Sequence, residues 1–111
     1  MARTAIWIAF DFGFDGPYEE MYRWLDKQKA LECSTNVAFL LFPKSRNLYE
    51  NVLDQVQANV GLRPTDRVYI VCTPKSGEVK GKFIHGSRRR APWENFAQSA
   101  DDHTGTGDAE L

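Results

Sequence analysis

Two segments with the apolar spacing of amphipathic helices, set among short apolar runs, constrain the fold of this chain more than any other feature. The first covers residues 17–29 and follows Asp15-Gly16-Pro17, residue types that favour a helix start. The second covers residues 47–61, where Asn47 and Glu50 resemble a capping box and Gly61 ends the pattern. The sequence therefore predicts two helices that each bury one face.

Four short runs rich in β-branched and aromatic residues predict strands around these helices. They cover residues 4–12, 33–42, 67–72 and 79–85. The last run carries Lys80, Lys82 and His85, which we expect to face outward on an edge strand. The predicted order of elements is β-α-β-α-β-β.

This order predicts an α+β fold built as a two-layer sandwich. With 111 residues, 42% of them hydrophobic, the chain can form one modest core. We expect residues 1–93 to form a ferredoxin-like domain, a four-stranded antiparallel sheet with both helices on one face. The other face would stay open and apolar, which favours a homodimer. Residues 94–111 are predicted to form an acidic, disordered tail.

An acid near the end of the first strand, in Ala9-Phe10-Asp11, precedes a loop and an amphipathic helix. This arrangement resembles the small CRISPR adaptation nuclease-like family and its VapD-type toxin relatives over residues 4–93. The resemblance implies ferredoxin-like subunits paired as dimers, with members that cleave nucleic acid using a metal ion or bind it as a duplex. By the same resemblance, Asp11 matches the acid that faces its twin across the dimer axis. The chain departs from that family in having Phe10 where Tyr is usual and in lacking room for a hairpin between its helices.

Asp11 is the strongest candidate for chemistry, because a carboxylate leaving an apolar strand needs a partner. Two copies of Asp11 in a dimer, with Asp15 nearby, could hold one Mg²⁺ ion and polarise a phosphate. Asp11 would then be both the catalytic and the metal-binding residue. Alternatively, Asp11 accepts hydrogen bonds from amides of the following loop, because one carboxylate alone is a poor Mg²⁺ site.

The formal net charge of -1 conceals two segments of opposite charge. Residues 75–90 carry six basic side chains and one acid, whereas residues 94–111 carry five acids and no Lys or Arg. Removing those five from the fifteen acids leaves ten against fourteen basic residues, so the folded part is positive.

Basic residues interleaved with aromatic ones suit phosphate contacts combined with base stacking. The predicted nucleic-acid-binding residues are Lys80, Lys82, Arg88, Arg89 and Arg90. The same cluster also fits a solvated edge that prevents aggregation between sheets. The acidic tail could compete there with an anionic ligand.

The other reactive side chains carry weaker signals. His85 ends the fourth run, where a general acid or base and an ordinary surface residue are both consistent with the sequence. Cys33 and Cys72 lie in apolar stretches without metal-ligand spacing, which predicts two buried free thiols.

Location and function follow from these features as expectations. No apolar run has the length of a membrane span, and residues 1–7 lack the pattern of a secretory signal, so we expect a cytoplasmic protein. The sequence predicts a small homodimeric nucleic-acid-associated protein, with a Mg²⁺-dependent nuclease as its catalytic form. The alternative is a non-catalytic module that binds another protein.

Overall fold

The side chains of the first strand alternate between the two faces of a sheet. In the computed structural model, which describes residues 2–98, β1 spans Arg3–Asp11. Its even-numbered side chains from Thr4 to Phe10 are buried, and the odd-numbered ones from Ala5 to Asp11 are half-buried. Because successive side chains of a strand point to opposite faces, one face of β1 packs into the core and the other remains open.

Two helices and four further strands follow β1. They are α1 (Tyr18–Lys27), β2 (Leu31–Ser34), β3 (Val37–Pro43), α2 (Leu48–Asn59), β4 (Arg67–Cys72) and β5 (Lys80–His85). The strands lie in the order β2-β3-β1-β4-β5, and every neighbouring pair is antiparallel. The α+β class is confirmed. The expectation of four strands is wrong, because residues 2–98 contain five.

The extra strand comes from a hairpin that the sequence reading merged into one run. Residues 33–42 were predicted as a single strand, but Thr35 and Asn36 form a tight turn between β2 and β3. The Ser34 hydroxyl accepts a hydrogen bond from the Asn36 amide at 3.2 Å, a contact that favours turn geometry at this point. The view that the segment between the helices is too short for a hairpin is therefore wrong.

One hydrophobic core lies between the sheet and the two helices. Helix α1 contributes Met21, Trp24 and Leu25, and α2 contributes Leu48, Val52 and Val56. These side chains pack on the buried face of the central strands, where Ile6, Ile8 and Ile70 are fully buried. Both helices cover the same face, as predicted, because their apolar stripes share this core.

Apart from the hairpin of β2 and β3, the predicted helix and strand positions agree with the structure to within a few residues. The capping box is not formed, because the Asn47 side chain makes no capping hydrogen bond. The Asn47 amide instead donates to the Ser45 hydroxyl at 3.0 Å. Residues 96–98 form a helical turn, and the rest of the predicted acidic tail, residues 99–111, lies outside the described residues. Neither helix in the described range is long and apolar enough to cross a membrane.

Candidate functional site

The sheet face opposite the helices, here called the open face, carries two aromatic pairs. Trp7 and Phe39 are register partners on β1 and β3, with ring centroids 5.1 Å apart. Tyr69 and Phe83 are register partners on β4 and β5, with centroids 4.8 Å apart and rings nearly perpendicular. Direct cross-strand partners share a face of the sheet. All four rings are half-buried.

The part of the open face around Trp7 and Phe39 is apolar. Next to Trp7 and Phe39 lie Leu31 on β2, which is 64% exposed, and Leu41 on β3, which is 48% exposed. We call these four residues the apolar half. Exposed leucines beside aromatic rings are typical of a surface that another molecule covers.

The other half of the open face combines aromatic rings with positive charge. The Arg88 guanidinium lies 5.4 Å from the Phe83 ring centroid and 5.9 Å from that of Tyr69. The Arg67 guanidinium lies 6.0 Å from the Phe83 centroid. We call Asp11, Arg67, Tyr69, Phe83 and Arg88 the basic half.

Two glycines allow this arrangement. Gly81 lies beside the Tyr69 ring, and any side chain there would collide with that ring. Gly86, just after β5, has a φ of 78°, a conformation that glycine adopts without strain. The turn at Gly86 sends the chain back so that Arg88 reaches the rings. Gly81 thus leaves room for the Tyr69 ring, and Gly86 permits the turn that precedes Arg88.

Asp11 lies in the basic half as the ion-pair partner of Arg67. Its Oδ2 accepts a hydrogen bond from Arg67 Nη2 at 2.6 Å. This hydrogen bond holds the pKa of Asp11 below its ordinary value; partial burial acts against it, and the charges of Arg67 and Arg89 act with it. The hydrogen bond to Arg67, rather than one from a loop amide, is the main contact of the Asp11 carboxylate. Its pairing with Arg67 had no signal in the sequence.

A shallow pocket opens next to this ion pair. Ala9 is the register partner of both Val37 and Tyr69, so its small side chain leaves a depression between two larger ones. The pocket has a volume of about 220 Å³ and is lined also by Asp11, Asn36, Arg67 and Phe83. It presents a carboxylate, a guanidinium and aromatic rings together.

The predicted nucleic-acid-binding residues do not form one patch. Arg88 lies over the aromatic rings, whereas Arg89 donates to the Thr65 carbonyl at 2.6 Å and Arg90 pairs with Glu94 at 3.0 Å. Lys80 and Lys82 are exposed but lie on the opposite face of β5. Lys82 Nζ is 5.4 Å from the Tyr49 ring centroid of α2, and Lys80 Nζ is 3.7 Å from a Glu78 oxygen.

Arg63, which the sequence did not single out as a site residue, connects three segments by hydrogen bonds. Residues 63–66 form a turn in which the Arg63 amide and guanidinium both donate to Asp66, a fully buried residue. The guanidinium also donates to the backbone carbonyls of Phe12, Phe14 and Asp15 in the loop after β1. The pairing with Asp66 raises the pKa of Arg63. Arg63 and Asp66, three residues apart around a proline, were the available signal.

The remaining reactive residues have structural partners. A ring nitrogen of His85, Nε2, lies 2.9 Å from the Arg63 carbonyl oxygen, so the histidine bonds the backbone of the same turn. Cys72 is buried, as predicted, and its sulfur lies 3.4 Å from the Tyr49 hydroxyl. Burial and this contact raise the pKa of Tyr49 to about 12. The prediction for Cys33 is wrong: it is exposed, because it lies at a register shift in the edge strand β2.

The described residues of one chain do not form a Mg²⁺ site. Within residues 2–98, no three His, Cys, Asp or Glu side chains are grouped closely enough to hold a metal ion. Asp11 bonds Arg67, whose positive charge would repel a cation placed beside it. The metal expectation therefore depends on a second copy bringing its own Asp11.

A larger hollow lies on the helix side of the sheet, and its chemistry does not suit an anion. It has a volume of about 370 Å³ between α1 and the β2–β3 hairpin. Its charged lining residues are Asp26 and Glu32, without any lysine or arginine. Of these two hollows, the one in the basic half of the open face is the better candidate site for an anion. Comparisons with protein-family models, curated proteins and solved structures find no match to this chain.

Proposed function

We propose that this protein binds single-stranded nucleic acid through the basic half of its open face and pairs with a second copy through the apolar half. The observation that carries the proposal is the position of Arg67 and Arg88 around the Phe83 ring. Aromatic faces stack on bases, and guanidinium groups contact phosphates, so the two together match an unpaired strand. A duplex would offer its phosphates but keep its bases away from the rings.

The distribution of charge supports the same side of the molecule. Arg67, Arg88 and Arg89 gather near Asp11, giving this end of the open face an excess of positive charge. Helix α2 on the opposite side carries Glu50 and Asp54 and no basic residue. The guanidinium groups of the open face therefore attract a polyanion.

Fluorescence anisotropy with a short labelled single strand, measured over a range of salt, tests the binding proposal. Arg88→Ala should weaken binding. It should also reduce the magnitude of the slope of log affinity against log salt concentration by about one. Phe83→Ala should cost about 1–3 kcal/mol of binding free energy through lost stacking.

Arg90→Ala is the matched control, because it removes the same charge from a side chain that pairs with Glu94. Its affinity should stay within about twofold of that of the unaltered protein, a margin that allows for the weak long-range effect of the lost charge. Absence of binding at low salt, or equal losses for Arg88→Ala and Arg90→Ala, would contradict the proposal.

The pairing with a second copy is supported by the exposure of Leu31 and Leu41. Light scattering across a dilution series should report a dimer that Leu41→Lys converts to a monomer. Val79→Lys is the control, because Val79 is 70% exposed and precedes β5 outside the sheet. A monomer at all concentrations would overturn the pairing. Persistent capture of a different protein by the apolar half would then favour the alternative, a non-catalytic interaction module.

We also propose that the fold is ferredoxin-like. The support is the order β1-α1-β2-β3-α2-β4 with sheet neighbours β2-β3-β1-β4, to which β5 adds an edge. The same order of elements and strands supports our proposal that the chain resembles the CRISPR adaptation nuclease-like family.

A metal-dependent nuclease is the catalytic form of that proposal. It requires Asp11 residues of two copies to share an ion. Cleavage that needs Mg²⁺ and disappears in Asp11→Asn would support it, and intact substrate after incubation of the dimer with Mg²⁺ would contradict it.

A further inference from the structure

We propose that the pocket over Ala9 selects guanine, with Asp11 accepting hydrogen bonds from the Watson–Crick edge of that base. This inference rests on the proposed binding of a single strand. It goes further by naming the base and by giving Asp11 a role in recognition that needs no metal ion.

The dimensions of the pocket suit one flat ring. At about 220 Å³ it is smaller than the sites that enclose drug-sized ligands, which begin near 300 Å³. Ala9 forms its floor, and Val37 and Tyr69, its partners on the two neighbouring strands, form its walls. A base that leaves the strand could lie on this floor with its edge directed at Asp11.

Asp11 retains hydrogen-bonding capacity for such an edge. An ionised carboxylate has about four acceptor positions. Arg67 Nη2 occupies one of them, and the side chain is 50% exposed. The neighbouring Arg67 keeps the carboxylate ionised and therefore a pure acceptor.

Guanine is the base whose edge best matches this pair of side chains. Its N1–H and N2–H₂ groups are adjacent donors that can bond both oxygens of one carboxylate, and its O6 is an acceptor next to them. Adenine, cytosine and uracil each present one donor group on that edge. Arg67, a planar group with several N–H donors, lies beside Asp11 where it can donate to O6.

The positions of the other arginines fit a strand whose base occupies the pocket. Arg88 lies over the adjoining rings and can contact a phosphate, and Arg89 is close enough for its charge to act on Asp11. An acidic side chain alone would repel the phosphates of the strand. Here the surrounding guanidinium groups offset that repulsion.

The test compares short oligouridylates that carry a single central guanosine, inosine, adenosine or uridine, with the unaltered protein. Inosine keeps O6 and N1–H but lacks the 2-amino group. We expect the guanosine strand to bind roughly 5- to 100-fold more tightly than the uridine strand, with inosine between them. Asp11→Asn should bring all four strands to within about twofold, because an amide no longer offers two acceptors.

Asp54→Asn is the matched control, since it makes the same change at an exposed position of α2 outside the pocket lining. It should keep the preference for guanosine, and circular dichroism should report folded protein for both variants. Equal binding of all four strands would overturn the inference and leave the proposed function standing. A preference that survives in folded Asp11→Asn would also overturn it. If none of the strands binds, the proposed function fails and takes this inference with it.

Discussion

Asp11 and Arg67 are direct partners in the register of β1 and β4, and their side chains form an ion pair on the open face with Oδ2 and Nη2 2.6 Å apart. The acid therefore has a defined partner, although it leaves an apolar strand. The pair also orients both groups toward the pocket over Ala9. The properties of this ion pair can be measured, and they distinguish a structural carboxylate from one that binds a metal ion.

The pH dependence of stability should reveal this ion pair. The pKa of Asp11 is lowered in the folded state, so its contribution is present above the unfolded value of about 3.9 and is lost as pH falls through the folded pKa. Because the side chain is half-exposed, we expect about 1 kcal/mol or less. Urea unfolding of the unaltered protein and Asp11→Asn should give a constant difference between pH 5 and 8 that shrinks below about pH 4. A difference that grows on acidification would contradict the assignment.

The buried carboxylate of Asp66 should matter far more for stability. Asp66→Ala removes the acceptor of the Arg63 amide and of its guanidinium, and we expect a loss of about 2–3 kcal/mol in the free energy of unfolding. Asp54→Ala, an exposed position on α2, is the control and should change stability by about 0.5 kcal/mol or less. Chemical denaturation measures both, and equal effects would show that the turn at residues 63–66 contributes little.

Gly86→Ala should be strongly destabilising for two separable reasons. The φ of 78° strains an alanine, and its Cβ would lie 2.7 Å from the Asp66 carbonyl oxygen. Gly77→Ala isolates the strain, because Gly77 has a φ of 79° and no atom within 4 Å of such a Cβ. We expect about 1 kcal/mol for Gly77→Ala and about 2 kcal/mol or more for Gly86→Ala. Thermal unfolding should rank them in this order, and the reverse order would contradict the close approach.

The two thiols should differ sharply in reactivity. Cys33 is exposed on β2, and Cys72 is buried against Tyr49. A thiol reagent should therefore modify one cysteine rapidly in native protein and the second only after denaturant is added. Cys33→Ser should abolish the rapid phase. Rapid loss of both thiols in the folded protein would contradict the burial of Cys72.

Much of the fold follows from spacing in the sequence, because helices and buried strands have distinct apolar periods. The exception is β2, whose Leu31 and Glu32 are exposed and whose two-residue turn contains no glycine or proline. Short edge strands bury few side chains, so they leave little apolar pattern to detect. Strand β2 is therefore identified only by its pairing with β3.

The site was harder to predict than the fold. The acid and the arginines were found as residue types, but three consecutive arginines go to three different partners. Partner choice depends on the turn at Gly86 and on strand register, which bring Arg67 and Asp11 together across 56 positions of sequence. Neither relationship has a local signal in the sequence.

The contacts of Arg63 bear on how quickly a ligand can arrive. They tie the segment after β1 to the turn before β4, so the strand ends that carry Asp11 and Arg67 should shift as a unit. No separate closing motion is then needed before an incoming strand is held. Association should be a single fast phase whose rate rises with ligand concentration and falls as salt screens the attraction.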